Sequence, residues 1–313
     1  MCSQAETCSD PIKEQRQKTQ MIKLAMSKIR HKIAVISGKG GVGKSTVTVN
    51  LATALALRGH AHRVGILDAD IHGPCVPKML GLKGQRIQAS PIGAFPVTGP
   101  LGIKVVSMDF LLSSDEAPVI WRGPLKMKAI EQFLSDIMWG ELDFLLIDLP
   151  PGTGDEPLSI MQLIPELDGV IIVTIPSEVS QAVVRKSVTF ARQMAVPVIG
   201  VVENMSDYVC PDCGKRINIF GVGGGEKIAR DLSVPFLGKI AIDPEICSDS
   251  DKGTSFTLAH PDSPATKNFV AIVEGIEEFL GRQGLASDAS VVHPTKADVR
   301  VATRVSIDET GGD

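Results

Sequence analysis

The stretch Gly38-Lys39-Gly40-Gly41-Val42-Gly43-Lys44-Ser45 decides the fold. It follows the apolar run Ile33-Ala34-Val35-Ile36 and opens a segment, Ser45 to Arg58, with the length and mixed faces of a helix. That strand-to-helix setting is what a phosphate-binding loop requires. Glycines lack a Cβ, so successive backbone N–H groups can close around phosphate oxygens, and the helix N-terminus adds unpaired donors and a favourable dipole. Lys44 is placed to meet the terminal phosphates and the Ser45 hydroxyl to ligate Mg2+. The nucleotide-binding residues read from this stretch are Gly38, Lys39, Gly40, Gly41, Val42, Gly43, Lys44, Ser45 and Thr46.

Working outward, short apolar runs alternate with helical segments. Val64-Gly65-Ile66-Leu67, Phe144-Leu145-Leu146-Ile147, Val170-Ile171-Ile172-Val173 and Val198-Ile199-Gly200-Val201-Val202 read as buried parallel strands, with crossover helices over Leu125–Met138 and Ser180–Met194. The pattern predicts an α/β fold, a doubly wound and mostly parallel sheet with helices on both faces, of the P-loop NTPase type. Two carboxylate stretches end such strands: Asp68-Ala69-Asp70 and Asp148-Leu149-Pro150-Pro151-Gly152-Thr153-Gly154-Asp155. Ligands in doubly wound folds bind at that edge. Asp148 is therefore expected near Mg2+, Asp68 in the metal's outer shell, and Asp70 orienting or activating the attacking water. The expected catalytic residues are Asp70, Lys39 and Lys44.

Composition narrows the function classes. The chain has 313 residues, 43% hydrophobic and 22% charged, with a net charge of -4. No apolar run approaches the roughly 18 residues that span a bilayer, and no basic-then-apolar leader is present, so a cytoplasmic protein with no membrane partner is expected. The acidic balance gives no drive toward nucleic acid, and none is expected as a partner. Three segments are read: an N-terminal extension (1–32) with two cysteines and a basic helix whose apolar stripe is Ile22, Met26 and Ile29, a P-loop domain (33–282) with the Cys-x-x-Cys motif and a polar C-terminal tail (283–313). The stripe is narrow, which favours a solvated helix over a membrane-surface one. The Gly- and Pro-rich stretch Gly81–Gly102 reads as a surface excursion.

The chain has six cysteines. In a reducing compartment these read as thiols or metal ligands rather than disulfides. Cys210 and Cys213 flank Pro211-Asp212 and precede Gly214, a knuckle-like turn that can aim two thiolates at one metal centre. A single chain supplies only two such ligands, whereas a two-fold dimer supplies four, matching a 4Fe-4S cluster or one tetrahedral zinc. Cys75 and Cys247 stand alone, Cys2 and Cys8 lie near the N-terminus, and His31, His60, His62 and His72 share no ligand spacing with the cysteines.

The doubled lysine of Lys39-Gly40-Gly41-Val42-Gly43-Lys44 resembles the deviant P-loop of the MinD/ParA/nitrogenase-iron-protein class, which forms ATP-sandwich dimers. More closely, Asp68-Ala-Asp-Ile-His-Gly-Pro74, Trp121-Arg-Gly-Pro124, the Asp148–Asp155 stretch, Val201-Val-Glu-Asn-Met-Ser206 and Cys210-Pro-Asp-Cys213 are similar to the Mrp/ApbC/Nbp-type iron-sulfur cluster carrier ATPases, over about Ile33 to Leu280. The resemblance implies a role for Lys39 across the dimer interface, for Asn204 in reading adenine, and for Cys210 and Cys213 in holding a bridging cluster. Longer relatives carry a four-cysteine N-terminal motif where this chain has only Cys2 and Cys8.

The expectation is a homodimer that binds and slowly hydrolyses ATP with Mg2+ and passes a 4Fe-4S cluster from a donor to apoproteins. A partition or positioning ATPase acting on membrane or DNA shares the phosphate site but wants a basic amphipathic helix or face, and Val301–Asp313 ends acidic and glycine-rich. A zinc-stapled structural dimer with weak ATPase activity is the third reading.

Overall fold

The computed structural model describes residues 11–91, 93–111, 123–210 and 213–290. Cys2, Cys8 and Trp121-Arg122 lie outside the described residues. The chain opens with α1 (Pro11–Met26), β1 (Ile29–Ile36), α2 (Lys44–Leu55), β2 (Val64–Asp68) and the short α3 (Val76–Met79). Four short strands follow, β3 (Gln88–Ser90), β4 (Gly93–Phe95), β5 (Val97–Thr98) and β6 (Lys104–Ser107). Next come α4 (Gly123–Ser135), β7 (Leu142–Asp148), α5 (Asp155–Leu163), β8 (Gly169–Thr174), α6 (Glu178–Gln193) and β9 (Val198–Glu203). The rest is β10 (Tyr208–Val209), β11 (Arg216–Ile217), α7 (Gly224–Asp231), β12 (Phe236–Lys239), α8 (Pro244–Lys252), α9 (Phe256–Ala259) and α10 (Pro264–Ser290).

Eight strands form one sheet in the order β12-β9-β8-β1-β7-β2-β6-β5, parallel except where β5 runs antiparallel to β6 at the edge. Every residue of β2, β7 and β8 is buried, which is why these strands read as unbroken apolar runs with no alternation. β1 lies at the centre between β7 and β8. The loop leaving its C-terminal end therefore emerges where neighbouring crossovers diverge, the position at which such sheets bind ligands.

Four features differ from the sequence reading, two of them boundaries. β1 begins at Ile29, with Ile29 opposite Leu142, so a boundary at 32/33 falls inside a strand. The charged run Arg30-His31-Lys32 hides this start, although Lys32 is buried with its ammonium on the Ile29 carbonyl at 3.3 Å. α1 is docked rather than solvated: Ile22 and Met26 are buried in one apolar cluster with Ile130, Phe133 and Leu134 of α4, and Lys18 pairs with Glu131 at 2.9 Å. Part of the Gly81–Gly102 excursion is sheet, because β5 pairs with β6 and β3 pairs with β4. Helix α10 continues through Ser290, past the start at 283 expected for the tail.

The chain divides into a main unit, Met1–Gly275, and a second, Ile276–Asp313, whose described part is the end of α10, where Glu278 and Arg282 pair one turn apart. Among the described residues no helix is long and apolar enough to cross a membrane.

Candidate nucleotide and thiol sites

The loop between β1 and α2 has the backbone that its glycines allow. Gly41 and Gly43 take φ of 78° and 79°, a left-handed conformation that side chains disfavour. Gly43 also has no room: a Cβ there would lie 2.2 Å from the Asn204 amide nitrogen. That nitrogen donates to the Val42 carbonyl at 2.9 Å, so Asn204, at the exit of β9, braces the loop from the side. From the other side Gly152 N–H donates to the Ser37 carbonyl at 2.8 Å, which holds the Pro150-Pro151-Gly152 turn against the start of the loop.

The charges of the site converge on Asp148. Lys44, 6% exposed, places its ammonium 2.7 Å from Asp148 Oδ1, and the Ser45 hydroxyl donates to Oδ2 at 2.6 Å. Thr48, one helical turn beyond Lys44, donates to Oδ1 at 2.9 Å. Asp68 stands beside Asp148 in register across β2 and β7. It is fully buried and accepts from Ser107 Oγ at 3.2 Å, Val76 N–H at 3.3 Å and Asp70 N–H at 3.3 Å. Burial, and next the Asp148 carboxylate, push the Asp68 carboxyl well above the usual aspartate range, against the opposing pull of the Lys44 ammonium and the Val76 N–H.

The structure thus brings Lys44, Ser45, Asp68 and Asp148 together, with Asn204 against the loop. Asp70 is half-buried just past them and accepts from Gly73 N–H at 3.3 Å, shaping its own turn. Lys39 is half-buried, and among the described residues it makes no hydrogen bond or ion pair. The Thr46 carbonyl accepts from Asn50 Nδ2 at 2.9 Å within the helix. Three contributors were not read from the sequence. Thr48 and Ser107 hydrogen-bond the two carboxylates, and buried Glu203 accepts from Ser206 Oγ and Gly225 N–H, both at 2.6 Å, fixing the exit of β9. A Thr one turn after the loop lysine, at a helix position its propensity disfavours, was the available signal for Thr48.

The same exit leads to the cysteines. β10 and β11 pair antiparallel, and between them Cys210 N–H donates to the Lys215 carbonyl at 3.0 Å while Gly214 N–H donates to the Cys210 carbonyl at 2.9 Å. Gly214 closes the turn with φ of 69°. Cys210 is half-buried and Cys213 exposed. Cys75 and Cys247 are both exposed and lie elsewhere, with Cys75 Sγ donating to the Gly73 carbonyl at 3.0 Å. His31 and His60 hydrogen-bond Asp168 and Asp143, structural partnerships at 3.2 and 2.7 Å.

The family model described as "ParA: NUBPL iron-transfer P-loop NTPase" matches residues 28–277. The chain belongs to this family. The iron-sulfur cluster carrier protein of Methanocaldococcus jannaschii is 54% identical to this NUBPL-type chain over 277 residues, covering 88% of this chain and 94% of its own. That of Saccharolobus solfataricus is 54% identical over 259 residues, 83% of this chain and 87% of its own. A nucleotide-binding protein from Archaeoglobus fulgidus, solved in complex with ADP and with cobalt found, superposes with a TM-score of 0.68 at 45% identity over 76% of this chain and 92% of that one. MinD of Aquifex aeolicus, at 23% identity and a TM-score of 0.58, covers 79% of this chain and 97% of that one and shares the fold of this NUBPL-type chain.

Proposed function

We propose that this NUBPL-type NTPase is an ATP-dependent iron-sulfur cluster carrier, which holds a 4Fe-4S cluster between two copies of the chain and passes it to apoproteins. The observation that carries this reading is the run from Asn204 to Cys213. One end of it braces the phosphate loop, and the other is a two-thiol hairpin that cannot complete a four-ligand site alone. Relatives bearing the iron-sulfur carrier name over nearly their whole length support the choice of cargo.

At the phosphate site the donor set fits Mg2+. Ser45 Oγ and Asp148 Oδ2 are hard oxygens 2.6 Å apart beside the loop, and Mg2+ takes such ligands together with phosphate oxygens. Ser45 and Asp148 would hold it, with Asp68 outside them, and the ion would neutralise charge on the phosphates. Lys44 leaves Asp148 for the terminal phosphates, the loop amides stabilise the charge that develops there, and Asp70 orients the attacking water. Lys39 acts across the dimer and Asn204 contacts the base in addition to bracing the loop.

Zinc is the second reading for the hairpin, since four thiolates suit it equally. Anaerobic reconstitution with iron and sulfide, followed by iron, sulfide and zinc analysis and size measurement, separates the two. One 4Fe-4S cluster per two chains is expected, lost in the Cys210→Ser/Cys213→Ser variant while nucleotide binding survives. A cluster kept by a monomer or by that variant sinks the bridging model.

A further inference from the structure

Lys126, on α4, is only 8% exposed, and it belongs to neither loop that carries the site's carboxylates. Its ammonium nevertheless touches both. It donates to His72 Nε2, in the loop that follows Asp68 and Asp70, and to Glu156 Oε1 at 3.3 Å, in the first turn of α5 where the chain from Asp148 arrives. Glu156 also approaches His72 Nε2, at 3.9 Å. An ammonium can only donate, so His72 Nε2 is the acceptor in this contact. His72 thereby takes a specific role that its isolation in the sequence did not suggest.

Stability does not account for a lysine here. The rest of α4 packs through Ala129, Ile130, Phe133 and Leu134, and burying an ammonium carries a desolvation cost that an apolar side chain would avoid. What the ammonium adds is geometry: near the tips of the two loops it adds a side-chain tie to the one their bases already have, where Ala69 N–H donates to the Asp148 carbonyl at 3.0 Å above the paired strands.

We propose that Lys126 is a positioning residue for phosphoryl transfer, tying the Asp68–His72 loop to the Asp148–Glu156 loop so that their carboxylates are correctly spaced across the phosphate cradle. This rests on the nucleotide reading above. Small displacements of groups around a reacting phosphoryl cost rate much more than ground-state affinity, because the alignment matters most in the transition state.

The test uses the full chain, with MgATP affinity by direct titration, steady-state kcat and KM, and Tm. For Lys126→Met, kcat falls by about tenfold or more while the Kd for MgATP stays within about threefold. Lys126→Arg, whose guanidinium can still donate to both partners, restores most of the rate. Glu156→Ala lowers kcat in the same direction, and combined with Lys126→Met it adds less than its single effect. An unchanged kcat in Lys126→Met overturns the proposal, as does a rate loss that simply follows Tm and is not restored by Arg. Should Lys126→Met fail to fold, Glu156→Ala decides: an unchanged kcat there overturns it equally. A wild-type chain that neither binds nor hydrolyses MgATP overturns the nucleotide reading itself, and the proposal with it.

Discussion

At the scale of single residues, the charges of the phosphate site neutralise one another. The Lys44 ammonium rests on Asp148, whose other oxygen accepts from Ser45, so an arriving nucleotide must exchange partners rather than fill a gap. Asp68 is the group left over, a second buried carboxyl with hydroxyl and amide donors but, among the described residues, no ion-pair contact. Its raised pKa has a sign that can be tested. Between the ordinary aspartate value of 3.8 and the raised value, the folded chain holds a proton that the unfolded chain has released. The unfolded state then binds fewer protons, so stability falls as pH rises through that window. Thermal unfolding of the nucleotide-free chain across pH should show wild type losing stability relative to Asp68→Asn as pH rises from 4 toward neutrality. A constant difference between the two would remove Asp68 as the cause.

At the scale of elements, α1 is joined to the fold through two buried apolar side chains. Met26 is 1% exposed and Ile22 5%, and both sit in the cluster beneath α4. Met26→Ala should cost about 2–5 kcal/mol of stability, read as a lower urea midpoint with an unchanged slope; a loss under about 0.5 kcal/mol would mean that the helix is not docked. How this chain was legible differs by element. The interior strands declared themselves, because both faces of Val170–Val173 or Phe144–Ile147 are covered and nothing polar interrupts them. β12 did not, since Gly238, at φ of 147°, breaks its pattern where the pairing with β9 slips. The site divides in the same way. Lys44, Ser45 and Asp148 were readable because a loop, the helix it opens and the end of the neighbouring strand nearly dictate their meeting. Thr48 and Ser107 add only hydroxyls, which are too common to stand out. The meeting of Lys126 with His72 and Glu156 depends on how α4 lies against two loops, and no spacing along the chain encodes that.

At the scale of the whole molecule, the phosphate loop and the cysteine hairpin are served by one strand exit, with Asn204 holding the loop and Glu203 anchoring the turn that follows. Asn204→Ala should weaken MgATP binding by about 1–2 kcal/mol, roughly five- to thirtyfold, because a buried carbonyl loses its donor and the loop its brace. Iron and sulfide uptake at the hairpin should persist. Titration and metal analysis of the same preparation check both, and an unchanged affinity would confine Asn204 to a packing role. The strand order has a further consequence, for synthesis on the ribosome. β1 is made early, yet its two neighbours are β7 and β8, which end at Asp148 and Thr174. At about 5–20 residues per second, β1 waits on the order of ten seconds for its second neighbour, and the loop waits longer for Asn204. Until β7 is made, the strand that ends in the nucleotide loop has both hydrogen-bonding edges unpaired, and one edge stays open until β8 follows, so the nascent chain depends on being shielded from other chains over that interval.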